Sequence, residues 1–195
     1  MNKREDYSAA ELISAVDVGH LRTIGLYFVK SAKALYELKK PEYSYAFHLL
    51  ASQAIEILPK SVIAEQICLD KKDCCKEEIF SDIQKELGNL SHKSDEIFNK
   101  LPRLKKKLNI LSIARFNDTG FVDEYRFKLE SPSREFSIKS LEAIRYGALA
   151  RRKDIFLHVE GDDNIVGFLD DLIKEVSELS REIYSKIRET TRRSS

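Results

Sequence analysis

The chain has 195 residues, 43% of them hydrophobic and 33% charged, which is too apolar for a disordered protein and suits one domain with a single core. Lys and Arg total 33 against 32 Asp and Glu, so the overall charge does not indicate a nucleic-acid or acidic-membrane partner, and any basic site has to be local. Seven Gly and four Pro are too few for the turns of a many-stranded sandwich, barrel or phosphate-loop enzyme, so the composition favours helices.

The sequence carries no sign of a membrane span, a disulfide framework or a bound cofactor. No apolar run approaches the length of about 18 residues that crosses a bilayer, and the first residues lead into an amphipathic pattern rather than a signal-peptide core. The three cysteines, Cys68, Cys74 and Cys75, are odd in number, and two are adjacent, which suits a reducing compartment. Without a C-x-x-C pair or a spaced histidine pair, we expect a cytoplasmic protein with no metal and no cofactor.

The first two predicted helices are separated by the break at residues 38–41. The first begins at the capping-box spacing of residues 8–11, and Gly19 and Gly25 are points where it could bend. The second begins at Pro41 and carries helical spacing to Ile67. Pro59 lacks the N–H of an intrahelical bond and crowds the preceding turn, so a kink is predicted there.

Two more helices are predicted after the polar loop at residues 70–73. The third rests on apolar residues at four-residue steps and ends near the Gly-Asn pair at 88–89, which tolerates a left-handed cap. The fourth begins at Ser94 and extends to Leu108, with a bend at Pro102.

Between residues 117 and 135 the helical period disappears, and residues 125–129 are predicted to be extended. Helix returns from Ser137 to Arg151, and residues 154–159 fit either a short strand or a final helical turn. The last helix has the clearest pattern, with one apolar face held over more than six turns. That face comprises Ile165, Phe168, Leu169, Leu172, Ile173, Val176, Leu179, Ile183 and Ile187.

Together these elements predict one mainly α domain over residues 1–195. Its architecture is an antiparallel helical bundle with a kinked second helix, a long C-terminal helix and at most one short two-stranded element. Glu56 lies on an otherwise apolar surface of the second helix, so we expect it to pair with a Lys or Arg from a neighbouring helix.

Three short motifs resemble a known family. Residues 45–60 contain Gln-Ala-Ile-Glu followed by Lys, and resemble the second helix of HEPN domains, the nucleotide-binding helical bundles of higher eukaryotes and prokaryotes. Residues 91–98, Ser-His-Lys-Ser-Asp-Glu-Ile-Phe, resemble the Gly-His-x-Leu start of the third HEPN helix, and residues 125–127 resemble the Arg-Tyr-Pro-type loop. The resemblance covers about residues 20–130 and leaves 131–195 as an elaboration.

The resemblance implies a bundle that is commonly a homodimer and that binds nucleotide or RNA. Some members are metal-independent ribonucleases with an Arg and a His at a spacing like that of Arg152 and His158. In such an enzyme His158 would move a proton at a ribose hydroxyl or leaving oxygen. Arg152, or Arg151 one place earlier, would stabilise the charge developing on the phosphate.

Two basic runs, at residues 103–107 and 145–153, are candidates for a phosphate-binding surface, although most charge runs are simply solvated. His92 lies close to a helix start, where it could bind phosphate, cap the helix or meet water. The leading hypothesis is non-catalytic binding of nucleotide or RNA phosphate; a ribonuclease and a protein-interaction bundle are the alternatives. The candidate ligand-binding residues are Arg145, Arg151, Arg152, Lys153, Arg126 and His92.

Overall fold

A computed structural model describes residues 16–71, 74–116, 124–130, 134–139 and 162–193. This part of the chain is mainly helical, as the sequence predicts, and it contains one small sheet. The helices are α1 (Val16–Glu37), α2 (Ser44–Asp70), α3 (Lys76–Leu90), α4 (Ser94–Lys100), α5 (Pro102–Lys107) and α6 (Asp162–Arg193), with a 3₁₀ turn at Pro41–Tyr43; the strands are β1 (Ile110–Phe116), β2 (Glu124–Leu129) and β3 (Arg134–Lys139).

Helix α1 runs antiparallel to each of the other two long helices. Arg22 of α1 pairs with Glu65 of α2, whereas Tyr36, further along α1, meets Phe47 near the start of α2, so these two helices are antiparallel. Lys33, late in α1, pairs with Asp170, early in α6. Burial raises the pKa of Tyr184, late in α6, and the nearby charge of Arg22, early in α1, opposes that shift.

Tyr184 lies late in α6 and Asp170 lies early in it, while their partners Arg22 and Lys33 follow the opposite order in α1. Helix α6 is therefore antiparallel to α1 and parallel to α2. The predicted antiparallel arrangement thus applies to α1 against α2 and α6, whereas α2 and α6 run parallel to each other.

Helix α2 is the central element of the bundle. It runs from Ser44 to Asp70 without a break, so the expected continuation of the helix beyond Pro59 is confirmed, while the kink stays a prediction. Every residue from Leu58 to Glu65 is buried, because α1, α3, α4 and α6 all pack against this helix. A helix that is covered on all sides needs an apolar surface all round, and α2 has one apart from a few paired polar groups.

The ends of the shorter helices differ from the prediction. Helix α3 continues through Gly88 to Leu90, and the residue with a positive φ is Ser91, at 43°, rather than the predicted Gly-Asn pair. The single helix expected from Ser94 to Leu108 is two helices, because Pro102 begins a new helix after the break at Leu101. Proline is well suited to that first helical position, where no intrahelical N–H is needed.

The sheet is larger than predicted, and this part of the sequence interpretation was wrong. Three antiparallel strands lie in the order β1-β2-β3, not two at most. The helix predicted from Ser137 is also wrong over its first residues, since β3 extends from Arg134 to Lys139. Phe136 and Ile138 are buried at alternate positions, which is the period of a strand with one covered face. The extended segment predicted at 125–129 is confirmed as part of β2.

Aromatic residues join the sheet to the helices. Phe127 of β2 stacks on its cross-strand partner Phe136 of β3, with ring centroids 4.8 Å apart. Phe168 of α6 lies 4.9 Å from the Phe136 ring, and Phe98 of α4 lies 5.8 Å from the Phe127 ring. Aromatic pairs at such distances add to the stabilisation that comes from burial alone. The sheet thereby holds α4 and α6 in place around one core.

The predicted apolar face of α6 is confirmed. Eight of its nine residues are buried, and Ile173 is partly buried against the same core. None of the described helices combines the length and apolar character needed to cross a membrane.

Candidate functional site

The turn between α3 and α4 holds the candidate site. Ser91 has φ 43° and ψ −130°, a conformation that side-chain-bearing residues rarely adopt, and such positions often mark functional turns. The Lys60 ammonium donates a hydrogen bond to the Ser91 carbonyl oxygen, and it also donates to Glu56 Oε1 at 2.6 Å. Lys60 therefore ties the strained turn to the central helix.

His92 follows Ser91 and is held at two points. Its Nδ1 lies 2.9 Å from Glu56 Oε2, and its carbonyl oxygen accepts a hydrogen bond of 3.0 Å from the Tyr125 hydroxyl. The Glu56 side chain is only 8% exposed, whereas the imidazole is 32% exposed. Because a carboxylate oxygen accepts hydrogen bonds, we assign the Nδ1 proton to this contact. Glu56 and Tyr125 thus hold the imidazole in one orientation at the protein surface.

A small polar pocket lies beside the imidazole, where α2, the α3–α4 turn and the sheet meet. Ser52 of α2 donates a hydrogen bond of 2.6 Å to the carbonyl oxygen of Lys139, the last residue of β3. The pocket is lined by Ser52, Glu56, His92, Ser94, Tyr125, Ile138 and Lys139.

The charges around this pocket are balanced. Lys60 neutralises Glu56, and the Lys139 ammonium donates to Glu124 Oε2 at 2.7 Å. Burial acts to raise the pKa of Glu124, but hydrogen bonds from Lys139 and Ser137 outweigh it, and the pKa lies below its usual value. Glu124 is therefore ionised, and the two carboxylates offset the two ammonium groups.

The partner of Glu56 was predicted only in part. The expected basic partner is present, but Lys60 lies one turn later on the same helix rather than on a neighbouring one. The second partner, His92, comes from the turn. The spacing of Glu56 and Lys60 is visible in the sequence, whereas Tyr125 and Lys139 reach the pocket only because the strands pair, and no local pattern indicates them.

Arg126 is not brought together with His92. It follows Tyr125 on β2, and successive side chains of a strand point to opposite faces, so it lies on the exposed face. Its guanidinium carbon is 4.4 Å from the centre of the Phe116 ring, and its nitrogen is 3.7 Å from Glu124. Residues 125–127, which resemble the Arg-Tyr-Pro-type loop, form a strand with paired neighbours on both sides.

The first basic run lies against acidic residues of α6. Arg103 pairs with Glu182 at 2.5 Å, and Lys107 pairs with Glu175 at 3.0 Å and with Glu178 at 2.8 Å. Hydrogen bonds to the Glu178 and Glu175 carboxylates raise the pKa of Lys107. These contacts offset the charge of two of the four cationic side chains in the run, and Lys105 donates to the uncharged Asn99 side chain.

The second basic run and the catalytic hypothesis lie outside the described residues. This applies to Arg145, Arg151, Arg152 and Lys153, and to the pair formed by Arg152 and His158.

The described residues contain no group of three or more His, Cys, Asp and Glu side chains that could hold a metal ion. Cys68, Cys74 and Cys75 are free thiols, and burial raises the pKa of Cys68 to about 11. A thiol with such a pKa is not a reactive nucleophile.

A second buried acid lies deeper in the bundle. Glu65 is 0% exposed, and Arg22 Nη1 lies 3.1 Å from its Oε1. Burial raises the pKa of Glu65, and Ser180 and Arg22 oppose that shift. Sequence analysis did not single out Glu65, because an isolated acidic residue on a long helix is usually solvated.

Comparisons with family models, with curated proteins and with solved structures find no match to this chain. The HEPN resemblance therefore rests on its motifs alone, and the functional argument has to rest on the residues themselves.

Proposed function

We propose that the protein binds a nucleotide or RNA without catalysing its cleavage. In this proposal Arg145, Arg151, Arg152 and Lys153, here termed the basic cluster, contact phosphate. The observation that supports the proposal is the polar pocket at His92, which ends on Lys139, the last described residue before the part of the sequence that contains the basic cluster.

The covalent chain limits the distance between the pocket and the start of the basic cluster. Arg145 follows Lys139 by six residues, and a fully extended chain spans at most about 3.5 Å per residue. Six residues of chain reach at most about 20 Å. An oligonucleotide of a few residues is long enough to contact both segments across such a length of chain.

The charge distribution also favours the basic cluster. Residues 145–153 contain four cationic side chains, and the nearest acids in the sequence, Glu142 and Asp154, are only two. Many of the described Lys and Arg residues, by contrast, already pair with carboxylates, including Arg103, Lys107 and Arg115. An excess of cationic groups over acids releases counterions from a bound phosphate backbone, which is a main source of affinity for nucleic acids.

Salt titration tests the proposal. We expect a fluorescein-labelled oligouridylate of about twelve nucleotides to bind in about 50 mM salt, with affinity falling as salt rises. For single strands the logarithmic slope is about 0.7 per phosphate contact, so the variant R151Q/R152Q/K153Q should lower the magnitude of the slope by about 2. Fluorescence anisotropy at several salt concentrations measures both quantities.

A matched control removes three positive charges elsewhere. Lys30, Lys85 and Lys106 are exposed on three different helices, so K30Q/K85Q/K106Q changes the net charge equally. The control should keep the wild-type slope. Equal losses in the two triple variants would show a nonspecific charge effect and would overturn the assignment to the basic cluster.

A further inference from the structure

The sheet has one covered face and one exposed face. Tyr125, Phe127 and Leu129 of β2 are buried, and the covered face packs on the helices. Arg126 and Lys128, which alternate with them, are exposed. Since successive side chains of a strand point to opposite faces, these two cations belong to the face that is turned away from the core.

Nine side chains form this exposed face, here termed the outer face, in three rows across the strands. The rows are Ser112, Lys128 and Glu135; Ala114, Arg126 and Ser137; and Phe116, Glu124 and Lys139. In the middle row a small side chain lies on each side of Arg126, so no bulky neighbour in that row covers its guanidinium. A flat ligand therefore has room to lie against this part of the sheet.

Arg126 and Phe116 already form a stack on the outer face. The guanidinium carbon of Arg126 lies 4.4 Å from the centre of the Phe116 ring, and cations within about 6 Å of a ring centre are attracted to it. Glu124 Oε1 lies 3.7 Å from Arg126 Nη2 on another side. The ring and the carboxylate restrict the guanidinium before a ligand binds, which lowers the ordering cost of a further contact. Even so, the Arg126 side chain is 49% exposed and Phe116 is 40% exposed.

The charges of the outer face favour an anionic ligand that carries flat rings. Three cations, Arg126, Lys128 and Lys139, lie there with two acids, so the face has an excess of one positive charge. Lys128 lies 3.6 Å from Glu135, and both side chains are more than half exposed. An exposed ion pair of this kind contributes little, so a phosphate can replace the carboxylate. Nucleobases stack on arginine guanidinium planes and on aromatic rings, and their phosphates supply the negative charge.

We propose that Arg126, held over Phe116, stacks on one base of a single-stranded RNA, and that Lys128 contacts an adjoining phosphate. The inference rests on the proposed function, because the basic cluster supplies the other phosphate contacts and follows Lys139 of the outer face along the chain. It adds a contact to the bases, whereas phosphate contacts alone position a nucleic acid without reading its bases.

The experiment compares oligouridylate of about twelve nucleotides with an oligomer of the same length and ribose-phosphate backbone that has no bases. The two ligands carry the same charge, so a difference in affinity reports contacts to the bases. We expect the wild-type protein to bind oligouridylate at least about fivefold more tightly, the lower end of the effect of one stacked base. Arg126→Lys keeps the charge but removes the planar guanidinium, so it should bring this ratio to about one and leave the salt slope unchanged. Phe116→Leu should lower the ratio in part.

Arg103→Lys is the matched control, because Arg103 is an exposed arginine on α5 that pairs with Glu182, away from the sheet. It should keep the wild-type ratio, and circular dichroism should show that all variants are folded. If the wild type binds both ligands equally, if the ratio survives in Arg126→Lys, or if it falls equally in Arg103→Lys, the stacking assignment is overturned and phosphate binding stands. If neither ligand binds in about 50 mM salt, both the proposed function and this inference fail.

Discussion

Gly25 of α1 packs directly against Leu58 of α2, and replacing it with Ala tests that packing. A Cβ atom at Gly25 would lie 2.7 Å from both Cγ and Cδ2 of Leu58 and 3.4 Å from its backbone nitrogen. Real Cβ contacts are essentially never shorter than 3.0 Å. Leu58 is fully buried, so its side chain cannot move aside without disturbing the core.

Gly88 provides the matched substitution. It lies in α3, and a Cβ atom added there meets nothing within 4 Å. Replacing Gly with Ala in a helix raises the free energy of unfolding by about 0.5–1 kcal/mol, so both variants gain that amount. Overpacking a core costs about 1–3 kcal/mol, and only Gly25→Ala incurs it. We therefore expect Gly88→Ala to be more stable than the wild type, and Gly25→Ala to be about 1–3 kcal/mol less stable than Gly88→Ala.

Urea denaturation followed by far-ultraviolet circular dichroism measures the difference. Because the helix-propensity gain is common to both variants, the gap between them reports the contact with Leu58. For a chain of this size, each kcal/mol of difference in the free energy of unfolding corresponds to a difference in Tm of about 2–4 °C. If the two variants are equally stabilised, the close approach of α1 to α2 is wrong.

Two further predictions concern buried titratable groups. Burial raises the pKa of Glu65 above its usual value of about 4.5 in the folded protein. Between the pKa of the unfolded chain and that of the folded protein, the folded protein therefore binds more protons. The free energy of unfolding should consequently fall as pH rises from about 4.5 through the folded-state pKa. Glu65→Gln should flatten this pH dependence in urea denaturation; profiles that stay parallel would refute the burial argument. Cys68 is fully buried, and its pKa is raised to about 11. A colorimetric thiol reagent at mildly alkaline pH should therefore modify it more slowly than the partly exposed Cys74 and Cys75, and Cys68→Ala should remove only the slow phase. A slow phase that survives in Cys68→Ala would contradict the assignment.

The sequence predicts the helices better than the strands, because helical signals repeat over many turns. The apolar residues of α6 recur at three- and four-residue steps over its whole length, and no other element gives the same pattern. Strand β3 has only six residues, of which Phe136 and Ile138 alternate. Ile138 also fits a helical spacing with Leu141 and Ile144, and that longer pattern favoured the wrong assignment.

The site could be predicted only where its residues are local in sequence. His92 was a candidate from its position before a helix start, and Glu56 stood out as a carboxylate on an apolar helix. That these two side chains meet depends on the packing of the α3–α4 turn against α2, across 36 residues of sequence. Tyr125 joins them through the sheet, whose extent the sequence understated. Pairings between distant segments leave no periodic signal.

Equilibrium binding of labelled oligouridylate to the wild-type protein in about 50 mM salt tests the central claim most directly, because phosphate contacts are strong at low salt. The account predicts a saturable rise in fluorescence anisotropy that weakens as salt is added. No rise at any protein concentration, or binding that does not depend on salt, would contradict it.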